Sequence, residues 1–286
     1  MSALLPLLAP ALFVVLWASG FVVARLVVPF ADPLAFLVLR YALATAVLAA
    51  VALALRAPWP PGRAAWRNGL VAGVLLHACY LGPVFWAVKH GLPAGIAALV
   101  AGLQPLMTGA LVGPLLGERV AAKRWAGIAV GFLGAFLVIV PKLGPGGLPA
   151  LPVLVCLLGT LSITLGTIWQ KRTAASADLR TNAAAQYLGA FAVTLPVSLL
   201  LEDWVLVPAP PFWIGLFWSV FGLSIGAIGL LLVLLRRGAV AGVAALLYLV
   251  PPVSALMAFV LFGETLSPIQ IVGMGLASVG VALASR

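Results

Sequence analysis

Long stretches of this sequence carry no charge at all, and that feature decides what the chain can fold into. Asn68–Val88, His90–Gly117, Thr181–Leu201 and Gly238–Gly263 are each free of Asp, Glu, Lys and Arg. Each exceeds the roughly 18 apolar residues that mark a membrane-spanning helix. Across the chain 64% of residues are hydrophobic and 8% charged, against about 25% charged in an ordinary soluble domain. A water-facing surface cannot be built from that composition, so a polytopic membrane protein is predicted. The apolar runs are continuous rather than alternating, which selects helices over a membrane barrel. Cys79 and Cys156 both lie inside apolar runs, so no disulfide scaffold is expected.

Apolar runs bounded by charge, Pro or Gly give ten predicted spans. They are Leu4–Ala24, Pro33–Leu55, Trp66–Val88, Pro93–Leu116, Val120–Val140, Leu148–Trp169, Leu179–Leu201, Phe212–Leu235, Ala239–Phe262 and Ser267–Ala284. The first has no basic residue before Arg25 and is longer than a signal-peptide core, so it reads as a retained helix. The net charge of +10 would suggest nucleic acid in a soluble protein; here it sorts by side instead, and no nucleic-acid partner is expected. Twelve Lys and Arg fall in the loops after spans two, four, six and eight and at the C-terminus. Only Arg25, Lys89 and Lys142 lie opposite, with Glu202 and Asp203. The positive-inside rule then predicts both termini in the cytoplasm. Arg40 is left over, inside the second span.

Sliding the chain against itself reveals a repeat at an offset of 146–147. Gly91–Pro105 aligns with Gly238–Pro252, identical at seven of fifteen positions. Gly117-Glu118 meets Gly263-Glu264, and Gly20, Arg25, Asp32 and Tyr41 meet Gly166, Lys171, Asp178 and Tyr187. The halves divide as residues 1–143 and 144–286, with five spans each. An odd number of spans makes the second copy enter the membrane from the other side. The predicted fold is therefore an all-α bundle of ten transmembrane helices in two inverted repeats, with a substrate site near the midplane and alternating access. A monomer suffices for that architecture; its other partner is the lipid bilayer.

Trp17–Arg25 (WASGFVVAR), Phe85–Pro105 (FWAVKHGLPAGIAALVAGLQP) and the following Gly117-Glu118 resemble the drug/metabolite transporter superfamily, in its ten-helix EamA branch. Within that branch the chain looks most like the YddG-type exporters of amino acids, aromatic ones included. The resemblance covers both halves and implies a bacterial inner-membrane exporter of small metabolites. It also implies a site lined by spans one, three, four, six, eight and nine. Other members of the superfamily carry drugs, nucleotide sugars or phosphorylated metabolites, which are the alternative substrates.

Polar groups inside apolar spans are the candidate site, because each needs a partner or a wet cavity. Trp17, Ser19, His77, Tyr80, Gln104, Thr164, Trp169 and Tyr248 are the substrate-binding candidates. His77, Tyr80, Gln104 and Tyr248 cannot satisfy themselves as a serine or threonine does by bonding its own helix. Aromatic rings with a few amides and hydroxyls suit an amphipathic zwitterion. Pro105 and Pro252, with Gly91 and Gly238, are repeat-related and mark bends that serve either as gating hinges or as static kinks that open a cavity. Glycines at four-residue spacing, such as Gly69/Gly73 and Gly127/Gly131, suit close helix packing within each half. Arg40 reads as snorkelling to the interface, with carboxylate binding the minor alternative. Glu118 and Glu264 read as caps of the helices that follow them.

No Asp or Glu falls mid-span, so facilitated diffusion or exchange weighs as much as proton coupling. No phosphate-binding loop or Cys/His cluster is present, so no cofactor or metal is expected and transport draws on gradients. Gly222–Gly226 (GLSIG) matches G-x-S-x-G, but that motif needs a strand-to-helix turn and here it lies in an apolar run. A Ser224/His77 intramembrane hydrolase and a passive channel are the rivals from other classes.

Overall fold

The structure, a computed structural model, describes residues 4–116, 121–139, 147–173, 178–227, 230, 246–247 and 249–284. Among these residues the chain is helical, apart from one isolated β-bridge between Ala31 and Leu206. Helix α1 covers Leu4–Val27 and α2 Pro33–Ala54; the third span is α3 (Gly62–Gly73), a π-helical turn (Val74–Ala78) and α4 (Cys79–Lys89). The fourth is broken into α5 (Ala94–Ala101) and α6 (Gln104–Leu116), and the next three are α7 (Ala122–Ile139), α8 (Ala150–Thr173) and α9 (Leu179–Leu201). The eighth starts as α10 (Pro210–Phe217) and continues in π-helical form over Trp218–Ala227; α11 (Val250–Phe262) and α12 (Pro268–Ala284) follow. Seven helical segments are long and apolar enough to cross a bilayer, and Trp125–Ile139, Val250–Phe262 and Pro268–Leu283 are shorter apolar helices. The chain is a multi-pass membrane protein.

Local sequence explains the edges. Proline opens α2 and α10, where a missing N–H removes a donor that has no helical acceptor anyway. The third span begins four residues earlier than predicted, because Arg63 and Arg67 ride on the exposed first turns of α3. The fourth span breaks at Gly102 and Leu103, just ahead of Pro105, which sits at the second position of α6. Helix α11 ends on Gly263 in the left-handed region (φ 68°), which glycine adopts without strain.

The helices pack as pairs of repeat counterparts: α2 against α9, α5 against α11 and, most extensively, α7 against α12. The remaining packing is mirrored, since α4 lies on α8 as α1 lies on the π-helical part of the eighth span. Small residues allow these approaches, but they do so between the halves, contrary to the packing within each half that the spacing suggested. A methyl group on Gly73 would collide with the backbone of Gln186, on Gly189 with that of Leu70, and on Gly280 with that of Gly131. The reason lies in the inversion: the faces each half leaves bare match the corresponding faces of its copy.

Candidate functional site

The repeat brings two tyrosines together at the centre. Tyr41 and Tyr187, one from each half, are buried with ring centroids 6.0 Å apart. The Tyr41 hydroxyl donates to the His77 carbonyl at 3.0 Å, and Tyr187 donates to Ser224 Oγ at 2.7 Å. Position 224 is the repeat counterpart of 77, so each tyrosine bonds to the same repeat position, one through a backbone carbonyl and the other through a side-chain hydroxyl. Both acceptors sit in π-helical turns, where the wider winding disturbs the regular hydrogen-bond ladder. The His77 ring stacks on Tyr187 at 4.3 Å, and its Nε2 is buried without a partner among the described residues. The sequence singled out His77 as a candidate but offered Tyr41 and Tyr187 only as a matched pair in the repeat. Their matched place in the repeat was the available signal.

A small cavity of about 30 Å³ is lined by Trp17, Tyr80, Gln104, Pro105, Ile163 and Val250 among others. That is room for no more than a few water molecules among the described residues. Spans one, three, four, six and nine all contribute to its wall. Gln104 is aimed by its bond from Nε2 to Thr167 Oγ1, 3.0 Å long. A larger open groove of about 510 Å³ runs beside the start of α3, lined by Arg63, Trp66 and Arg67. It is formed by one helix on the outside of the bundle and does not lie between the halves.

Three predicted site residues are engaged elsewhere. Ser19 Oγ donates to Leu16 O and accepts from Trp218 Nε1 at 2.8 Å, tying the first span to the eighth. Thr164 is buried and bonds the Thr160 carbonyl of its own helix. Trp169 donates to the Asn68 carbonyl at 3.2 Å, away from the cavity. Tyr248 and Gly238 lie outside the described residues, as does Glu118. Gly91 occupies a tight turn at φ 92°, and Pro252 falls in the first turn of α11. The Ser224/His77 dyad is not formed: Ser224 donates to Ser219 O and accepts from Tyr187.

One face of the bundle, the one poor in basic residues, is held shut by carboxylates of the second half seated on helix starts of the first. Glu202 accepts from the Leu34 and Ala35 amides of α2 at 3.0 and 2.8 Å. Glu264 accepts from the Ala94 and Gly95 amides of α5 at 3.3 and 3.4 Å and pairs with Arg25 at 3.5 Å. Glu264 therefore caps a helix, but not the one that follows it; Ser267 and Gln270 close the start of α12 among themselves. Asp32 takes the Lys89 ammonium and the Val205 amide, leaving its own helix to Glu202. Its repeat counterpart Asp178 instead caps α9 directly through the Arg180 amide. Burial pushes the Asp32 carboxyl up, but Lys89 and the Val205 amide outweigh it and hold it below the ordinary value. Burial raises that of Glu202 against the pull of its two amides. Arg180 brings Asp178 down to about 2.

A bundle of inverted halves around a small interior cavity is the architecture of a secondary transporter. The chain belongs to the EamA-like transporter family, whose profile matches it twice, over residues 4–140 and 150–286; it is a transporter and not an enzyme. It is 30% identical over 286 residues to "Uncharacterized inner membrane transporter YedA" of Escherichia coli (strain K12), covering 98% of this chain and 90% of that one. A "Probable amino-acid metabolite efflux pump" of Salmonella typhimurium is 30% identical over 69% of each chain. A "Probable terminal-alkyne amino-acid exporter" of Streptantibioticus cattleyicolor is 27% identical over 70% of this chain and 67% of its own. A solved crystal structure of a protein shares the fold, with a TM-score of 0.66 at 23% identity over 97% of this chain and 95% of that one.

Proposed function

We propose that this inner-membrane transporter exports amino acids or closely related metabolites by alternating access. The observation that carries the reading is the cavity between the halves, walled by Trp17, Tyr80 and Gln104. Aromatic faces take an apolar side chain, while the amide and phenol take polar ends of the same molecule. Relatives carrying amino-acid efflux names support this substrate class. Residues 1–143 and 144–286 act as the two rocking units, with the breaks at Pro105 and Pro252 as the points where the fourth and ninth spans flex. The cavity must widen from about 30 Å³ to admit cargo, so the carboxylate contacts on the outer face must part in one half of the cycle.

Counterflow in proteoliposomes tests the reading. Vesicles loaded with unlabelled amino acids should accumulate a labelled aromatic one saturably, and Tyr80→Ala should lose at least about tenfold in uptake. Flux that never saturates would favour a channel. Absence of flux in folded protein would overturn the substrate class and leave the family.

A further inference from the structure

Arg40 is the only Lys or Arg more than five residues inside a predicted span, and the structure does not let it snorkel. It is 5% exposed, and its Nε has no hydrogen-bond partner among the described residues. It lies roughly 10 Å along α2 from the start of that helix, at 1.5 Å per residue. It shares the buried face of α2 with Phe36, Leu37, Tyr41 and Ala44, and Tyr41 lies 6.3 Å from the His77 ring, so Arg40 lies inside the bundle and not on the lipid. A guanidinium cannot shed its charge as a buried lysine or histidine can. It therefore needs an anion, and the described residues form no ion pair with it.

The chain has no interior anion to offer. Of its six acidic residues, Asp32 pairs with Lys89 and Asp178 with Arg180. Glu202 and Glu264 sit on helix starts at the outer face. Asp203 and Glu118 lie beyond the ends of apolar runs in the sequence. The counter-charge must therefore come from outside the protein.

The repeat supplies a control for a purely structural role. The counterpart of Arg40 is Gln186, which is also buried, next to Tyr187, with its backbone packed on Gly73. The second half fills the same place on its side of the α2–α9 contact, beside its own buried tyrosine, with a neutral side chain. The positive charge is thus an addition of the first half and not a requirement of the repeated fold.

We propose that Arg40 is the carboxylate anchor of the transport site: it binds the anionic end of the cargo, next to the Tyr41–His77 contact. Its planar fork offers two parallel N–H donors to a carboxylate, a geometry that a lysine cannot copy. The cargo class is then a small carboxylate, or a zwitterion held by its carboxylate end. This inference rests on the transport site proposed above, but it can be tested apart from the identity of the cargo.

The test compares purified wild type, Arg40→Gln and Arg40→Lys for binding, read as thermal stabilisation. The probes are phenylalanine, phenylalaninamide, 3-phenylpropionate and chloride. Wild type should be stabilised by the two carboxylates and much less by the amide. Arg40→Gln, which copies Gln186, should lose roughly 10–100-fold in carboxylate affinity while its response to the amide is unchanged, as expected for one charge-assisted bidentate contact. Arg40→Lys should fall in between, and it keeps the comparison open if Arg40→Gln does not fold. Stabilisation by 3-phenylpropionate but not phenylalanine, lost in Arg40→Gln, would uphold the anchor and count against amino acids as cargo. Equal carboxylate affinity in wild type and the folded variants would overturn the anchor. So would an Arg40-dependent response to chloride as large as that to the carboxylates, which would make the site one for an inorganic counter-ion.

Discussion

At the scale of single residues, the repeat shows what each side chain is for by presenting it twice. Asp32 and Asp178 occupy equivalent positions, yet one holds Lys89 and the other caps its own helix. Asp178 gives a testable pH dependence. Its carboxyl is held at about 2 by Arg180, against an ordinary 3.8, so the folded state favours the ionised form. That contribution is present in full above the ordinary value and is lost as pH falls from there toward about 2. Melting temperature should therefore drop more steeply across that window in wild type than in Asp178→Asn, which keeps an acceptor for the Arg180 amide without a titrating charge. Parallel curves would refute the assignment. Residue types were legible in the sequence where chemistry was scarce: His77, Tyr80 and Gln104 stood out because an apolar run cannot absorb them cheaply. Tyr41 and Tyr187 did not, because a buried tyrosine is ordinary until its partner across the repeat is known.

At the scale of elements, the spans were legible and their partners were not. Hydropathy locates a helix but does not say which neighbour it meets, so the glycine spacings suggested packing without showing that it crosses between halves. Glu264 shows the same limit. Its place before α12 suggested a local cap, while the orphan amides it serves belong to α5, reached only through the tertiary fold. The most extensive helix contact is that of α7 and α12, where Gly280 faces the Gly131 backbone with no room for a methyl group. Gly280→Ala should destabilise the protein by about 1–3 kcal/mol, the usual range for overpacking, as read by detergent-solubilised melting. Gly275, on the same helix with open space around its Cα, should accept alanine without loss. If Gly275→Ala proved as damaging as Gly280→Ala, close packing would not be the cause.

At the scale of the whole molecule, the contacts of Glu202 and Glu264 define which face is closed. Both carboxylates come from the second half and both sets of receiving amides from the first, so separation of the halves at this face must break the two together. Glu202→Ala combined with Glu264→Ala should shift the population toward a state open on this side. Electron–electron resonance between labels at the exposed positions His90 and Val207 should then report a longer and broader distance distribution than in the parent. An unchanged distribution would mean that the remaining contacts, the Asp32–Val205 bonds and the Ala31–Leu206 bridge among them, keep the face shut without the two carboxylates. The cavity itself was legible only in part. Its aromatic and amide lining could be guessed from residue type, but its small size depends on how Trp17, Ile163 and Val250 meet, which no local pattern encodes.

The exchange of counterparts between halves also bears on how the protein is made. A ribosome delivers the first five spans while the surfaces they need are still unmade. The amides at the start of α2 wait for residue 202, those of α5 for residue 264, and the glycine face of α7 for α12. Insertion into the bilayer can proceed span by span, because each is apolar enough on its own. Assembly cannot: the nascent first half must lodge in the membrane as an unfinished sheaf, and the last helix to emerge is the one that lets it close.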